Sequence, residues 1–271
     1  MNTATKNIQL QFQGYSDTPL LWHGSNVYNL KQFEFSTDKT IVFNRKLTPN
    51  LRLGKLVEQF VSEELATQND VEIVAENYQV QNNKQTIGEI DCLLFKANTP
   101  IHLEIIYKFY LYDETVGTTE IEHWIGPNRK DTLLMKLTKL KEKQLPLLYN
   151  PFTQPLLNSL NIKVETIKQE VLFKAQLFLP FGKYSIDFKQ INEECVTGFY
   201  IHHTELQQLQ AGKFYIPSKK NWLVNPHAAV DWILFDAFSA EIENLVSLKK
   251  SPLCWIKYPN GIIKKFFVVW W

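Results

Sequence analysis

Several features that mark large function classes are scarce or missing in this 271-residue sequence. It has three cysteines, Cys92, Cys195 and Cys254. They lie far apart with no Cys-x-x-Cys spacing, which excludes a disulfide-stapled scaffold and a zinc ribbon and reads as reduced thiols in the core of an intracellular protein. Charge of one sign is also missing: 29 Lys and Arg stand against 28 Asp and Glu, for a net charge of +1. No global field draws the chain to nucleic acid, so any basic surface must be local. No apolar run is long enough to span a bilayer, and Met1 to Gly14 is polar without a signal-peptide core. The expectation is a cytoplasmic protein with no membrane partner. There is no Gly-x-Ser-x-Gly, no P-loop and no Gly-x-Gly-x-x-Gly after a strand, so hydrolase-triad, nucleotide-hydrolysing and dinucleotide-binding readings have no footing.

What is present is core-forming material. The chain is 45% hydrophobic and 13% aromatic, which suits a folded protein with substantial β content. Residues 1–47 are mixed, with possible short strands over Ile8 to Phe12 and Thr40 to Phe43 and a possible short helix from Thr18 to Trp22. A helix is expected from Thr48-Pro49, with Leu53, Leu56, Val57, Phe60, Val61 and Leu65 as its buried face. On that reading Gly54 leaves room for a neighbouring backbone, Glu58 lies at the edge of the face, and Lys55, Gln59, Ser62 and Glu63 are wet. Strands follow over Val71 to Val80, Thr86 to Lys96 and Ile101 to Tyr112. The turns between them, at Asn82-Asn83 and Asn98-Thr99-Pro100, are short, as in an antiparallel meander. Asn128, with Asp131 three residues on, caps a second helix with a basic outer face, ended by Pro146. An apolar strand over Val171 to Phe181, central in the sheet, completes the order helix, three strands, helix, strand. The last third reads as strands near Cys195 to His202 and Lys213 to Ile216, helical patterning from Ala228 to Leu248, and a hairpin turning at Pro259-Asn260-Gly261.

The chemistry is concentrated in Gly88-Glu89-Ile90-Asp91 and His102-Leu103-Glu104-Ile105-Ile106-Tyr107-Lys108. Period-2 alternation puts His102, Glu104, Ile106, Lys108 and Tyr110 on one strand face. Unpaired charge inside apolar strands is costly, so these residues need partners. Two readings stand. One is a metal site in which Asp91 and Glu104 from neighbouring strands converge, with Glu58 from the helix, Lys108 as the cation, and Glu89 or His102 as helpers. The other is a buried ion pair without chemistry. Lys108 is four residues from Glu104, roughly 13 Å along a strand against roughly 7 Å for two residues. The nearer position holds Ile106, which has no polar group.

Gly54 and Glu58 on a helix, the Gly-Glu-Ile-Asp strand end, and Glu104 with a following lysine together resemble the PD-(D/E)XK nuclease superfamily, in its resolvase-like members above all. The resemblance implies an α/β, restriction-endonuclease-like core over 48–181, with 1–47 packed on it and 182–271 as a mixed α/β extension. It implies Asp91 and Glu104 as ligands of Mg²⁺ (or Mn²⁺), Lys108 as the catalytic lysine and Glu58 as an auxiliary acid, cleaving phosphodiester bonds, most naturally of DNA. Arg129 and Lys136, beside the expected cleft, are the candidate phosphate contacts. The departure is Ile106 where the common pattern has lysine, and the alternative it opens is a nuclease fold that binds nucleic acid or protein without cleaving. A narrower similarity, carried by Glu104 to Leu111 and by Trp124-Ile125-Gly126-Pro127-Asn128 with Asp131 and Lys136, is to a bacterial family of unknown activity, domain of unknown function 1853.

Overall fold

The computed structural model describes residues 3–36 and 41–271. In chain order the elements are α1 (Thr3–Ser16), α2 (Leu53–Ala66), β1 (Val71–Asn82), β2 (Gln85–Lys96), β3 (Thr99–Tyr112), β4 (Trp124–Ile125), α3 (Leu133–Lys139), α4 (Gln154–Ser159), β5 (Lys168–Pro180), β6 (Val196–His202), β7 (Lys213–Tyr215), α5 (Phe235–Ser247), β8 (Leu253–Lys257) and β9 (Ile263–Val269). This is a mixed α/β chain whose strand pairs are mostly antiparallel. It divides into two compact units. The meander unit is Leu20–Tyr107 with Met135–Lys174, and the terminal unit is Met1–Pro19, Lys108–Leu134 and Ala175–Trp271.

In the meander unit β1, β2 and β3 form the expected antiparallel meander, and the strand order continues to β5. The two short turns make each of these strands pair with the next one in sequence. One core lies between the strands and the segment after α3, with Val80, Ile90, Leu93, Leu148 and Leu157 buried together. Gly88 packs against the end of the Leu147 side chain, which a Cβ there would approach to 2.7 Å. The segment before α2 runs along β5, where Leu21 and Phe33 donate backbone N–H groups to Phe173 and Val171.

In the terminal unit the order β5-β6-β9-β8-β7 combines parallel β5–β6 and β6–β9 pairs with antiparallel β9–β8 and β8–β7 pairs. β5 therefore has a strand on either side, as expected of its apolar sequence. Phe214, Phe238, Ile242, Cys254 and Phe266 form the core beneath α5. Gly198 lets β6 meet β9, because a Cβ there would be 2.1 Å from the Lys265 carbonyl oxygen. All three cysteines are buried, and none forms a disulfide among the described residues. Among the described residues no helix is long and apolar enough to cross a membrane.

The structure corrects several local expectations. Ile8 to Phe12 is helical, as part of α1, since buried Gln11, Phe12 and Tyr15 recur at helical spacing and polar glutamine obscures the period. Thr18 to Trp22 forms no helix; Leu20 makes a single bridge to Lys174, and Leu21 and Trp22 are buried. Thr40 lies outside the described residues, and Ile41 to Phe43 is not a strand, though Phe43 packs edge-on against Phe60. α2 starts at Leu53, after a turn in which Asn50 takes a positive φ of 60°. Gly54 faces open space, and Ser62, expected to be wet, is buried. Asn128 does not cap α3, because its side chain accepts the Ser251 backbone N–H instead. Pro146 does not end the helical run, which passes from α3 through a π turn (Leu140–Gln144) into a 3-10 turn (Leu145–Tyr149) that has Pro146 in its first turn. Only the second half of the expected Ala228–Leu248 helix is helical.

Candidate metal centre

The β2–β3 ladder runs as far as Cys92 opposite Leu103. One step further, the same register places Asp91 opposite Glu104, on one face of the sheet. Here the pairing gives way. Instead of a strand partner, the Ile105 N–H finds the Asp91 carboxylate, donating to Oδ2 at 3.0 Å. The two acids therefore stand where β2 and β3 part, Asp91 partly buried and Glu104 wholly so.

α2 brings a third acid. Glu58 is buried and accepts a hydrogen bond from Lys55 Nζ at 2.7 Å. Lys55 also donates to Glu89 and, at 2.7 Å, to Asn77 Oδ1 on β1. Asn77 has a φ of +52° inside a strand. Left-handed backbone is unfavourable for a side-chain-bearing residue, and asparagine is among those that tolerate it best. One carboxylate oxygen each from Glu58, Glu89 and Asp91 lies within 4.8 Å of the others.

Glu104 is fully buried and differently held. Its Oε1 is 3.2 Å from His102 Nε2, and its Oε2 accepts from Gln144 Nε2. Gln169 Nε2 donates to His102 Nδ1 at 3.0 Å and also to the Leu145 carbonyl. With Nδ1 as acceptor, the neutral imidazole carries its proton on Nε2 and donates it to Glu104. Lys136 Nζ in turn donates to Gln144 Oε1 at 2.6 Å. Neutral donors thus fix both oxygens of Glu104, while Lys55 is the cation among Glu58 and Glu89.

The electrostatics follow from this imbalance. Burial, and then the charge of Glu104, pushes the Asp91 carboxyl up to about 8, against the opposing pull of the Ile105 N–H. Burial also raises Glu58, with Lys55 working the other way. Burial alone would lower Lys55, but its hydrogen bonds to Glu58 and Glu89 leave it above the ordinary lysine value.

Other expected site residues are engaged elsewhere. Lys108 Nζ lies 2.6 Å from Asp131 Oδ2 in an ion pair of the terminal unit. Ile106 is buried. Arg129 pairs with Asp113 at 2.9 Å and stacks over Trp271 at 4.3 Å from the ring centroid. His123 faces the Val116 carbonyl at 2.8 Å, and Trp124 is a fully buried anchor against Tyr112. Sequence reasoning missed Lys55, Asn77, Gln144 and Gln169. Lys55 carried a signal, since it is one turn before Glu58 on the same helix.

No curated protein and no solved structure matches the chain. The model of one family does match, over residues 23–269. That span is most of the sequence, so the chain belongs to the family described as Domain of unknown function (DUF1853).

Proposed function

We propose that this protein is a metal-dependent nuclease of the PD-(D/E)XK kind, hydrolysing phosphodiester bonds of nucleic acid, DNA first among them, in the cytoplasm. One observation carries the reading: carboxylates from a helix and a strand, Glu58, Glu89 and Asp91, converge beside Glu104 at the point where two strands part. The donor set fits a hard divalent cation such as Mg²⁺ or Mn²⁺, because all the converging atoms are carboxylate oxygens. Asp91, with Glu58 or Glu89, would hold it, while Glu104, the neighbour of Asp91 on β3, is outside that group and has both oxygens engaged by His102 and Gln144. When bound, such a cation polarises a phosphoryl oxygen and makes water a better nucleophile at neutral pH. The chain's own residues do the rest. His102 and Gln144 keep Glu104 in one orientation. Lys55 offsets excess negative charge and, on a flexible stem, can turn toward a phosphate.

A second reading is a nuclease-fold protein that binds without cleaving. Supporting it, Lys108 is paired with Asp131 and Ile106 occupies the position nearest Glu104 on that face. The two separate in one experiment. The purified protein is incubated with mixed single- and double-stranded DNA and Mg²⁺ or Mn²⁺, beside Asp91→Asn and Glu104→Gln, and Mn²⁺ binding is followed by electron paramagnetic resonance. The nuclease reading expects cleavage that falls by about 100-fold or more in both variants. Equal cleavage in all three proteins means a contaminant. Metal binding without cleavage favours the binding module, and absence of both ends the nuclease reading.

A further inference from the structure

The terminal unit contains a concave site that the acids do not explain. It is a groove of about 570 Å³ between α1 and the segment running from Asn221 to Asp231, with Tyr215 and Trp255 in its wall. Its size is in the range of small-molecule pockets. Three aromatic rings are grouped there: Trp255 lies 5.1 Å from Tyr215 and 5.3 Å from His227, centroid to centroid. Trp255 is almost wholly buried, and its indole Nε1 has no hydrogen-bond partner.

The polar groups around the rings are mostly amides, and their existing bonds leave a definite remainder. Asn221 Oδ1 accepts from Gln11, so its amide NH₂ is left to donate. Asn225 and Gln13 both donate to Asp17, so their carbonyl oxygens are left to accept. The groove thus offers both hydrogen-bond donors and acceptors next to aromatic faces. One cation, Lys6, and one carboxylate, Asp231, line it too, so it carries no net charge to select an ion. The frame is rigid. A Cβ on Gly14 would lie 2.0 Å from the Leu223 carbonyl oxygen, so α1 sits directly on that segment. Buried Lys265 ties the same segment down by donating to the Trp222 carbonyl at 2.8 Å.

We propose that this groove binds a nucleobase. An uncharged planar ring with donors and acceptors on its edge is the ligand that aromatic side chains and unpaired amides jointly recognise. Tyr215 and His227 supply the stacking surface, and Asn221, Asn225 and Gln13 read the edge. Lys6, exposed and without an ion-pair partner among the described residues, lies where an attached phosphate would be met. The inference stands independently of the metal reading, and no residue is shared between the two.

The test is titration of the full-length protein in EDTA with adenosine 5′-monophosphate, followed by calorimetry and by saturation transfer from protein to the base protons. Ribose 5-phosphate serves as the baseless control. Saturable binding is expected, with the base protons receiving the transfer. Tyr215→Ala and His227→Ala should each weaken it by about fivefold or more, and ribose 5-phosphate should not compete. His227→Gln, a milder change, guards against loss of fold, which circular dichroism checks in every variant. Asp91→Asn should bind the nucleotide as the parent does, so failure of either site is read separately. Equal binding of ribose 5-phosphate would reduce the site to a phosphate contact at Lys6 and overturn the proposal. No binding, or binding untouched by the Tyr215 and His227 variants, would overturn it as well.

Discussion

Two regions of this protein bury charge, and they resolve the problem in opposite ways. Around Asp91 stand four acids, of which Glu58 and Glu89 share Lys55, Asp91 accepts the Ile105 N–H, and both oxygens of Glu104 are held by neutral donors. Lys265 on β9 is nearly inaccessible, and among the described residues no acid pairs with it. Its Nζ donates to Gln176 Oε1 at 2.9 Å and to the Trp222 carbonyl at 2.8 Å. Burial alone brings Lys265 down to about 7, so near neutrality it can shed its proton and leave two N–H groups for two acceptors. The acids cannot all discharge that way without giving up the negative charge that makes them a possible cation site. Each buried group is driven toward its neutral form, Lys265 by losing a proton and Asp91 by keeping one, and only the acids have an external counter-ion as the alternative.

The sharpest break of that contrast is Asp91→Asn. If the acids serve a metal, this nearly isosteric change removes metal-dependent cleavage by about 100-fold or more while leaving the fold intact, as a paired nuclease assay and melting curve would register. Unchanged cleavage would mean that the activity comes from a contaminant, and the cluster would then be, like Lys265, a structural arrangement only.

Next in size is Gly198→Ala. The new methyl would have to displace the Lys265 backbone, at a cost of about 3 kcal/mol, measured by urea denaturation. A loss below about 1 kcal/mol would mean that β6 and β9 can slide apart cheaply and that Lys265 is not rigidly held.

The two regions also titrate in opposite senses. Asp91 is raised in the folded state, so folding holds a proton that the unfolded chain has lost between pH 4 and pH 8. Its contribution is intact below pH 4 and is lost as pH rises toward 8. Lys265 is lowered, so from about pH 7 to pH 10 the unfolded chain binds more protons, and stability recovers as pH rises. Each slope is at most about 1.4 kcal/mol per pH unit. Urea midpoints across pH 5 to 9 should show the first slope flattened by Asp91→Asn and, if a cation binds, by Mn²⁺. Lys265→Met should flatten only the second. A single variant that removed both would end the comparison.

The smallest effect belongs to Lys55→Gln. Losing the shared lysine leaves Glu58 and Glu89 without their cation, for about 1 kcal/mol of stability in the metal-free protein. Mn²⁺ should then recover more of it than in the parent, and recovery no greater than in the parent would argue that Lys55, not a metal, is the intended counter-ion.

Legibility in the sequence divided along similar lines. The meander was readable because short turns and period-2 alternation leave three strands little choice of partner, and with it came Asp91 and Glu104 on adjacent strands. Lys108 was readable as to face but not as to partner, since Asp131 lies 23 residues away and nothing in the spacing announces that pair. Lys55 was assigned to the wet side because the buried face of α2 was drawn from apolar residues alone, and an ion-paired lysine leaves no hydropathy trace. Lys265 follows Lys264, and two adjacent lysines near a turn give no hint that one is buried and the other exposed. The groove joins α1, β7, β8 and a loop, so only the tertiary fold assembles it.

The π turn at Leu140–Gln144 has one more consequence. A π turn holds one residue more than the α turn it replaces, and each helical residue turns the chain by about 100°. Deleting a single residue from Lys141 to Lys143 would restore an ordinary helix with the backbone otherwise satisfied. It would also rotate Gln144 off Glu104 and break the tie to Lys136. A one-codon deletion, mild by the standards of the core, would thus be enough to release the most deeply buried acid of the centre.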